Sequence, residues 1–459
     1  MDVNHRSCLA AIALLSALAA CDGPNDPPDP VPAILASSIE AADGPLFRTL
    51  RVSLEGVAAI EVEFWSEDSD VLQVRSPEGT EHEILLPRLK AATTYEYRTR
   101  VIAMNGAGGE PVLGSFATGP LPANLADFSF EVSGTPSVPL VLLVISRAEG
   151  FSGYVIVDGS GNVVWYLDVD GASGITRRSN GNFVAVTRRG LVEITPTRQV
   201  IAETLSDSVG RRFHHDVIPT PRNTLLAIAT DTQTVLGTRF TGESIWEWTP
   251  ETGEIRKRWS SFDFLDPYSD RGSLFSEGNW MHANSLWLSD RGNVILSSNY
   301  LSQIMSISPD FTSLEWRLGG PNATIQLPEA ERFTGQHTAA EIRPGRILMF
   351  DNRRVQGGYS RAVELELVGN EAYRVWEWRP ERVNFSYAVS SARRLPVGTT
   401  LVTFGLGAGI ADSTGPTEVY EVTESGEVRW HLEVEGLEVM YRAEPIFDIA
   451  GEVVISVDR

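Results

Sequence analysis

Seven histidines stand in the 459 residues, at positions 5, 82, 214, 215, 282, 337 and 431. Imidazole is the side chain best suited to chemistry near neutral pH: unprotonated, it is a nucleophile and a metal ligand, and it exchanges protons close to pH 6.5. Four of these residues share a register. His214, with His215 beside it, lies eight residues before position 222, His337 eight before 345, and His282 ten before 292. Zinc is one use for three imidazoles, but no H-x-x-H or H-E-x-x-H spacing accompanies them, so neither a metal nor a cofactor is expected. The other use is covalent and proton-transfer chemistry. The bland alternative is a set of histidines that cap loops.

For His214, His215, His282 and His337 to meet, the units carrying them must be arranged around a common axis. The stretch 279–320 reads as one such unit. It opens at His282, turns at Asp290-Arg291-Gly292-Asn293, and continues as short apolar runs over 294–297, 303–308 and 314–318. Alternating β-favouring runs between turn signals are strands. The turn recurs at positions 181, 222, 292, 345, 398 and 451, with gaps of 41, 70, 53, 53 and 53 residues. A period near 50 with several strands per unit predicts a propeller, here of six blades. The long gap is assigned to an insertion at 261–278. Trp165, Trp246, Trp248, Trp316, Trp376, Trp378 and Trp430 recur near unit ends and are expected to pack between blades. The last turn leaves too little chain for a whole blade. The hairpin at 153–165 is therefore expected to pair with strands near 453–457 and close the ring.

Composition bounds the partners. Lys and Arg number 38 against 60 Asp and Glu, a net charge of −22. This excludes a nucleic-acid binder, which needs a basic face. Residues 1–20 end in Leu18-Ala19-Ala20 before Cys21, and their apolar run is too short to span a bilayer. They resemble a bacterial lipoprotein signal, so the expected product is exported to the periplasm or cell surface. A lipid on Cys21 would be its only membrane contact. Residues 21–32 are a proline-rich tether. Residues 33–119 hold short alternating strands and the phrase Leu89-Lys90-Ala91-Ala92-Thr93-Thr94-Tyr95. It resembles the tyrosine corner of a fibronectin type III β-sandwich. Residues 120–459 form the propeller. The expected fold class is all-β: a six-bladed β-propeller preceded by a small fibronectin type III-like sandwich.

An ordered set of motifs carries a further resemblance: Phe213-His214-His215-Asp216, Trp280-Met281-His282-Ala283-Asn284-Ser285, Trp316-Arg317-Leu318-Gly319-Gly320, Gly335-Gln336-His337-Thr338-Ala339 and Tyr359-Ser360-Arg361-Ala362-Val363-Glu364. Over about 150 to 455 they resemble the bacterial arylsulfate sulfotransferases that need no nucleotide donor, a family of six-bladed propellers. The resemblance implies transfer of a sulfuryl group from an aryl sulfate donor to a phenolic acceptor through a sulfohistidine. It places the nucleophile at His337 and supporting roles at His282 and at His214 or His215, with strand register favouring His214. Asn284, Asn299, Arg361 and Tyr359 are the expected substrate-binding residues, and Tyr441 a candidate for the acceptor pocket. In one respect the chain departs from the family. An arginine follows a serine pair in the relatives, whereas Ser297-Ser298 is followed here by Asn299. An amide cannot grip a sulfuryl group as a guanidinium does. Arg361, Arg353 and Arg354 are the candidates to supply that charge, and Asn299→Arg is expected to raise activity. A propeller also hosts many functions; a non-catalytic cell-surface binder is the alternative.

Overall fold

The turn that repeats in sequence repeats in conformation. Gly181, Gly292, Gly345, Gly398 and Gly451 all have φ between 76° and 91°, and Asn223 takes the same role at 63° in the remaining unit. Backbone of that hand is open to glycine and tolerated by asparagine. In a computed structural model describing residues 31–42, 46–276 and 278–455, each of these turns follows the innermost strand of a blade. The expected signal, Cys21 and the expected tether as far as residue 30 lie outside the described residues.

The blades are six antiparallel sheets around one axis. The second strands, Phe183–Thr187, Val294–Ser298 and Thr400–Phe404 among them, are buried along their whole length. Neighbouring blades cover both faces, so these strands read as continuous apolar runs rather than alternating ones. The outer strand Val428–Glu435 alternates between exposed and buried positions, as a strand with one wet face should. Tryptophans join the blades as expected. Trp165, Trp378 and Trp430 each donate an indole N–H to a carbonyl on the next blade, at Pro196 (2.7 Å), Gly426 (3.0 Å) and Gly159 (3.0 Å). Trp246 and Trp248 sit instead on a third strand, Thr238–Thr249.

Ring closure differs from expectation. The 153–165 hairpin does supply outer strands to the seam blade, but its partner from the C-terminal side is Val439–Ile446. That strand pairs with Leu140–Ser146, from Val439 opposite Ser146 to Ile446 opposite Leu140. Leu140–Ser146 is an apolar run that occupies the second-strand place, so Val453–Ile455 has no slot in the ring; residues 456–457 of the expected partner lie outside the described residues. Val453–Ile455 leaves the ring and pairs with Val71–Arg75 of the N-terminal domain. Ser129–Gly134 adds a fifth strand to the neighbouring blade, beside Val428–Glu435. The seam is thus bridged twice. The extra length of the third blade is also shared out. Part lies in 261–278, and part in the long pair Leu225–Val235 and Thr238–Thr249.

The N-terminal domain is built on one long strand, Arg48–Trp65. Its first part pairs with Ile34–Ala41 and Gly79–Leu86, its last part with Val71–Arg75 and Thr94–Ile102. The two layers close over Leu50, Val52, Ile60, Val62 and Phe64. The Tyr95 hydroxyl accepts from the Lys90 N–H at 2.8 Å, the loop tie anticipated from sequence.

Candidate active site

Three consecutive blades begin their innermost strands with an irregularity. In Phe213–Pro219 the register breaks between Phe213 and Val217, and His215 has φ 61°. In the next blade His282 has φ 50° and the register breaks between Ala283 and Ser285. In His337–Arg343 it breaks between His337 and Ala340, with Thr338 at φ 53°. Such bulges re-aim side chains, and non-glycine residues held at positive φ concentrate at functional sites. Here they gather the imidazoles where the innermost strands begin, at one end of the ring.

The rings touch in sequence. His214 and His215 have centroids 4.8 Å apart, as have His215 and His282; His282 stacks on Tyr300 at 4.7 Å; Tyr441 meets His215 edge-on at 5.7 Å. His337 is 3% exposed. Its Nδ1 lies 2.8 Å from the Asn352 Oδ1. The Asn352 amide nitrogen already donates to the carbonyls of Ser386 and Val389, so its oxygen accepts. His337 therefore carries its proton on Nδ1 and presents a bare Nε2. Burial pushes its pKa down to about 3, and the charges of His282, Arg354 and Arg442 work in the same direction against the opposing Asn352 bond. Burial, His214 and Arg354 lower His282 to about 4. His215 is held well below the ordinary histidine value by burial, then by His214, His282, His337 and Arg442. All three are neutral imidazoles at physiological pH.

Of the neighbouring pair, His215 rather than the favoured His214 joins the cluster. Strand alternation fails here because His215 sits in left-handed backbone. His214 stands behind it, with Nδ1 2.6 Å from the His215 Nδ1 and Nε2 2.9 Å from the buried Glu243 carboxylate. A carboxylate only accepts, so that Nε2 carries a hydrogen, and the three groups form a hydrogen-bonded chain. Glu243 also accepts from the Ala283 N–H, 3.1 Å away and next to His282.

The other expected residues divide. Asn284 is buried beside the backbone leading into His337: its amide donates to the Gln336 carbonyl at 2.7 Å while its Oδ1 has no partner. Asn299 donates to the Gly335 carbonyl and accepts from Arg354, both at 2.7 Å. Tyr441 donates to the Asn284 carbonyl at 2.9 Å, and burial pushes its pKa up to about 12. Arg361 is turned away, its guanidinium locked to Asp351 (3.0 Å) and Glu377 (2.7 Å). Tyr359 lies between the guanidinium groups of Arg353 and Arg379, at 4.0 and 4.4 Å. Sequence reasoning missed Glu243, Asn352, Tyr300, Tyr387 and the buried pair Arg442–Asp216, which meets at 2.8 Å across three blades. Two of these had a visible signal. Asp216 abuts the histidine pair, and Asp351-Asn352 is a polar end to an apolar strand. Among the described residues one further cluster has metal-ligand atoms, Glu418, His431 and Glu433. Arg382 already ion-pairs with both carboxylates.

An all-β ring of six blades, with neutral imidazoles from successive blades converging on one channel mouth, has the architecture of a histidine-based propeller enzyme. The chain belongs to the arylsulfotransferase (ASST) family, which it matches over residues 131–442. Members of that family use, in general, aryl sulfate donors and phenol acceptors. Among solved structures, a protein of unknown function from Bacteroides caccae is similar at 15% identity and a TM-score of 0.47, covering 68% of this chain and 100% of that one. A virginiamycin B lyase from Staphylococcus aureus has 13% identity and a TM-score of 0.35, with 84% and 99% covered. An auxiliary nutrient binding protein from Bacteroides ovatus has 11% identity and a TM-score of 0.33, with 86% and 82% covered. No curated protein matches the chain.

Proposed function

We propose that the protein transfers a sulfuryl group between phenols through a covalent intermediate on His337. The observation that carries the reading is the His337–Asn352 bond, which leaves a neutral Nε2 lone pair on His337 within the histidine cluster. In the first half-reaction Nε2 attacks sulfur. The N–S bond forms, the S–O bond to the aryl group breaks, and its electron pair leaves on the phenolate. The phenolate departs as the anion. In the second half, the chain Glu243–His214–His215 takes the proton of the acceptor phenol while its oxygen attacks sulfur and the N–S bond breaks. The chain then releases that proton to the departed phenolate, so protons and charge balance over the cycle. His282, fixed by its stack on Tyr300 and by Asn279 at 3.1 Å, supports the sulfuryl group from the next blade. Tyr300 and Tyr441 provide aromatic walls for the phenols.

The same proposal places the enzyme outside the cytoplasm, held by lipid on Cys21 and presented by a fibronectin type III-like module. One acyl chain anchors weakly and several anchor firmly, so Cys21→Ser should release the protein from the membrane fraction. The test of the chemistry is mass analysis after exposure to nitrophenyl sulfate. A sulfuryl adduct should map to the peptide bearing His337 and vanish on adding a phenol. No adduct and no released nitrophenol would defeat the reading.

A further inference from the structure

Among the described residues the buried guanidinium groups of Arg178, Arg361, Arg393 and Arg442, and the largely buried one of Arg317, each have a carboxylate oxygen within 2.6 to 3.0 Å. The partly buried Arg354 does not. Its partners are neutral: the Asn299 Oδ1 at 2.7 Å and the Tyr387 hydroxyl at 2.5 Å. Its Nε is buried without a partner, and one hydrogen on each terminal nitrogen is also free. Leaving a partly buried cation uncompensated is costly.

Its position is as telling as its pairing. Arg354 lies over the ring of Tyr387 at 4.1 Å and near that of Tyr300 at 5.7 Å, the ring on which His282 stacks. Its stem crosses the backbone that leads into His337. A Cβ on Gly335 would stand 2.3 Å from the Arg354 Cδ, so only glycine lets the arginine pass there. Arg353, also without a carboxylate, is stacked on Tyr359 instead.

We infer that Arg354 is the anion-binding group of the site, receiving the sulfuryl oxygens of an aryl sulfate on its free edge. Asn299 acts as its holder rather than as a ligand of the substrate. The inference rests on the sulfuryl-transfer reading for the identity of the anion. Arginine in this role grips two oxygens at once through charge-assisted bonds. The charge that Asn299 lacks is supplied from the following blade, and Asn299 spends its oxygen aiming it. Arg354 belongs to substrate binding, and Asn299 and Tyr387 are positioning residues.

The test uses the mature protein and an aryl sulfonate, whose carbon–sulfur bond is not transferred, so binding is read apart from chemistry. Titration calorimetry should give saturable binding to the wild type. Arg354→Gln should weaken it about 10- to 100-fold, the worth of a charge-assisted pair. Arg354→Lys should recover part of the loss, because charge returns without the fork. Tyr387→Phe, which leaves the charge in place but frees one arm, should weaken binding several-fold and raise the KM for nitrophenyl sulfate more than it lowers kcat. Near-UV circular dichroism checks that each variant is folded. If Arg354→Gln does not fold, the Lys and Phe variants decide, and wild-type affinity in both overturns the inference. So does wild-type affinity in Arg354→Gln, or absence of sulfonate binding to the wild type. Sulfonate binding that depends on Arg354 without any His337 adduct would overturn the transfer reading and leave this one standing.

Discussion

The two ends of the propeller treat charge in opposite ways. At the end away from the histidines, the third strands carry Glu193, Glu247, Glu364 and Glu421, each buried and each bonded to groups at the turns. Glu193 accepts from Arg178, Asn180 and Asn182; Glu247 from Thr224, Arg222, Arg256 and Arg258; Glu364 from Arg346 and Arg394; Glu421 from Thr399 and Ser137. The fourth blade has Ser306 there, bonded to Asn293 at 3.1 Å. Burial alone would raise the pKa of Glu247, yet its bonds from Thr224, Arg256, Arg258 and Arg222 hold it at about 2. At the histidine mouth Arg442 is paired with Asp216 and His214 with Glu243, but several other buried groups lack such compensation. His337 and His282 stay neutral, Arg354 has no acid, and the Asn284 Oδ1 has no donor. A satisfied end holds the blades together, and an unsatisfied end is left for a ligand to complete.

The sharpest break of this contrast is His337→Asn. Without the nucleophile, transfer to an acceptor phenol should fall by at least about 10⁴-fold, with no adduct by mass analysis. Glu243→Gln comes next. It keeps the shape of the relay but not its proton affinity, so turnover should drop about 10- to 100-fold. The pH–rate profile should also change shape, which a purely structural role for Glu243 would not produce. Asn299→Arg now carries the opposite sign to the sequence expectation. It replaces the acceptor that aims Arg354 by a second cation, so KM for aryl sulfates should rise several-fold rather than fall.

Acid separates the two ends by where stability begins to fall. The folded pKa of His337 lies near 3, below the ordinary 6.5. Below pH 6.5 the unfolded chain therefore binds a proton that the folded one refuses, and stability drops as pH falls toward about 3. The loss is about 1.4 kcal/mol per pH unit for this one group. Glu247, at about 2 against 4.5, contributes stability that is complete above 4.5 and lost only as pH falls from there toward 2. Between pH 7 and 5, urea titrations should show His337→Asn losing about 2 kcal/mol less than wild type, and Glu247→Gln losing the same as wild type. The smallest effect expected is in the seam. Trp430→Phe removes one indole bond to the Gly159 carbonyl and should cost about 1 kcal/mol, lowering Tm without changing KM.

Much was legible from sequence because it is local. A glycine turn, an alternating run or a tryptophan near a strand end has the same physical meaning in each unit. Six repeats of that meaning specify a ring, and the motifs around His282 and His337 lie where the repeat puts an inner strand. Whatever depends on two distant segments was decided only by tertiary structure. Strand alternation could not tell His214 from His215, because a bulge with positive φ cancels alternation. Nor could it reveal that Val453–Ile455 leaves the ring, since the place was already filled by Leu140–Ser146 from the other end. The direction of each arginine was equally hidden. Arg361 and Arg354 have the same chemistry in sequence, yet Asp351 and Glu377 neutralise the first, while only Asn299 and Tyr387 hold the second. A guanidinium's role follows from whether an acid reaches it, and in this chain that is settled by which blades meet at the channel mouth.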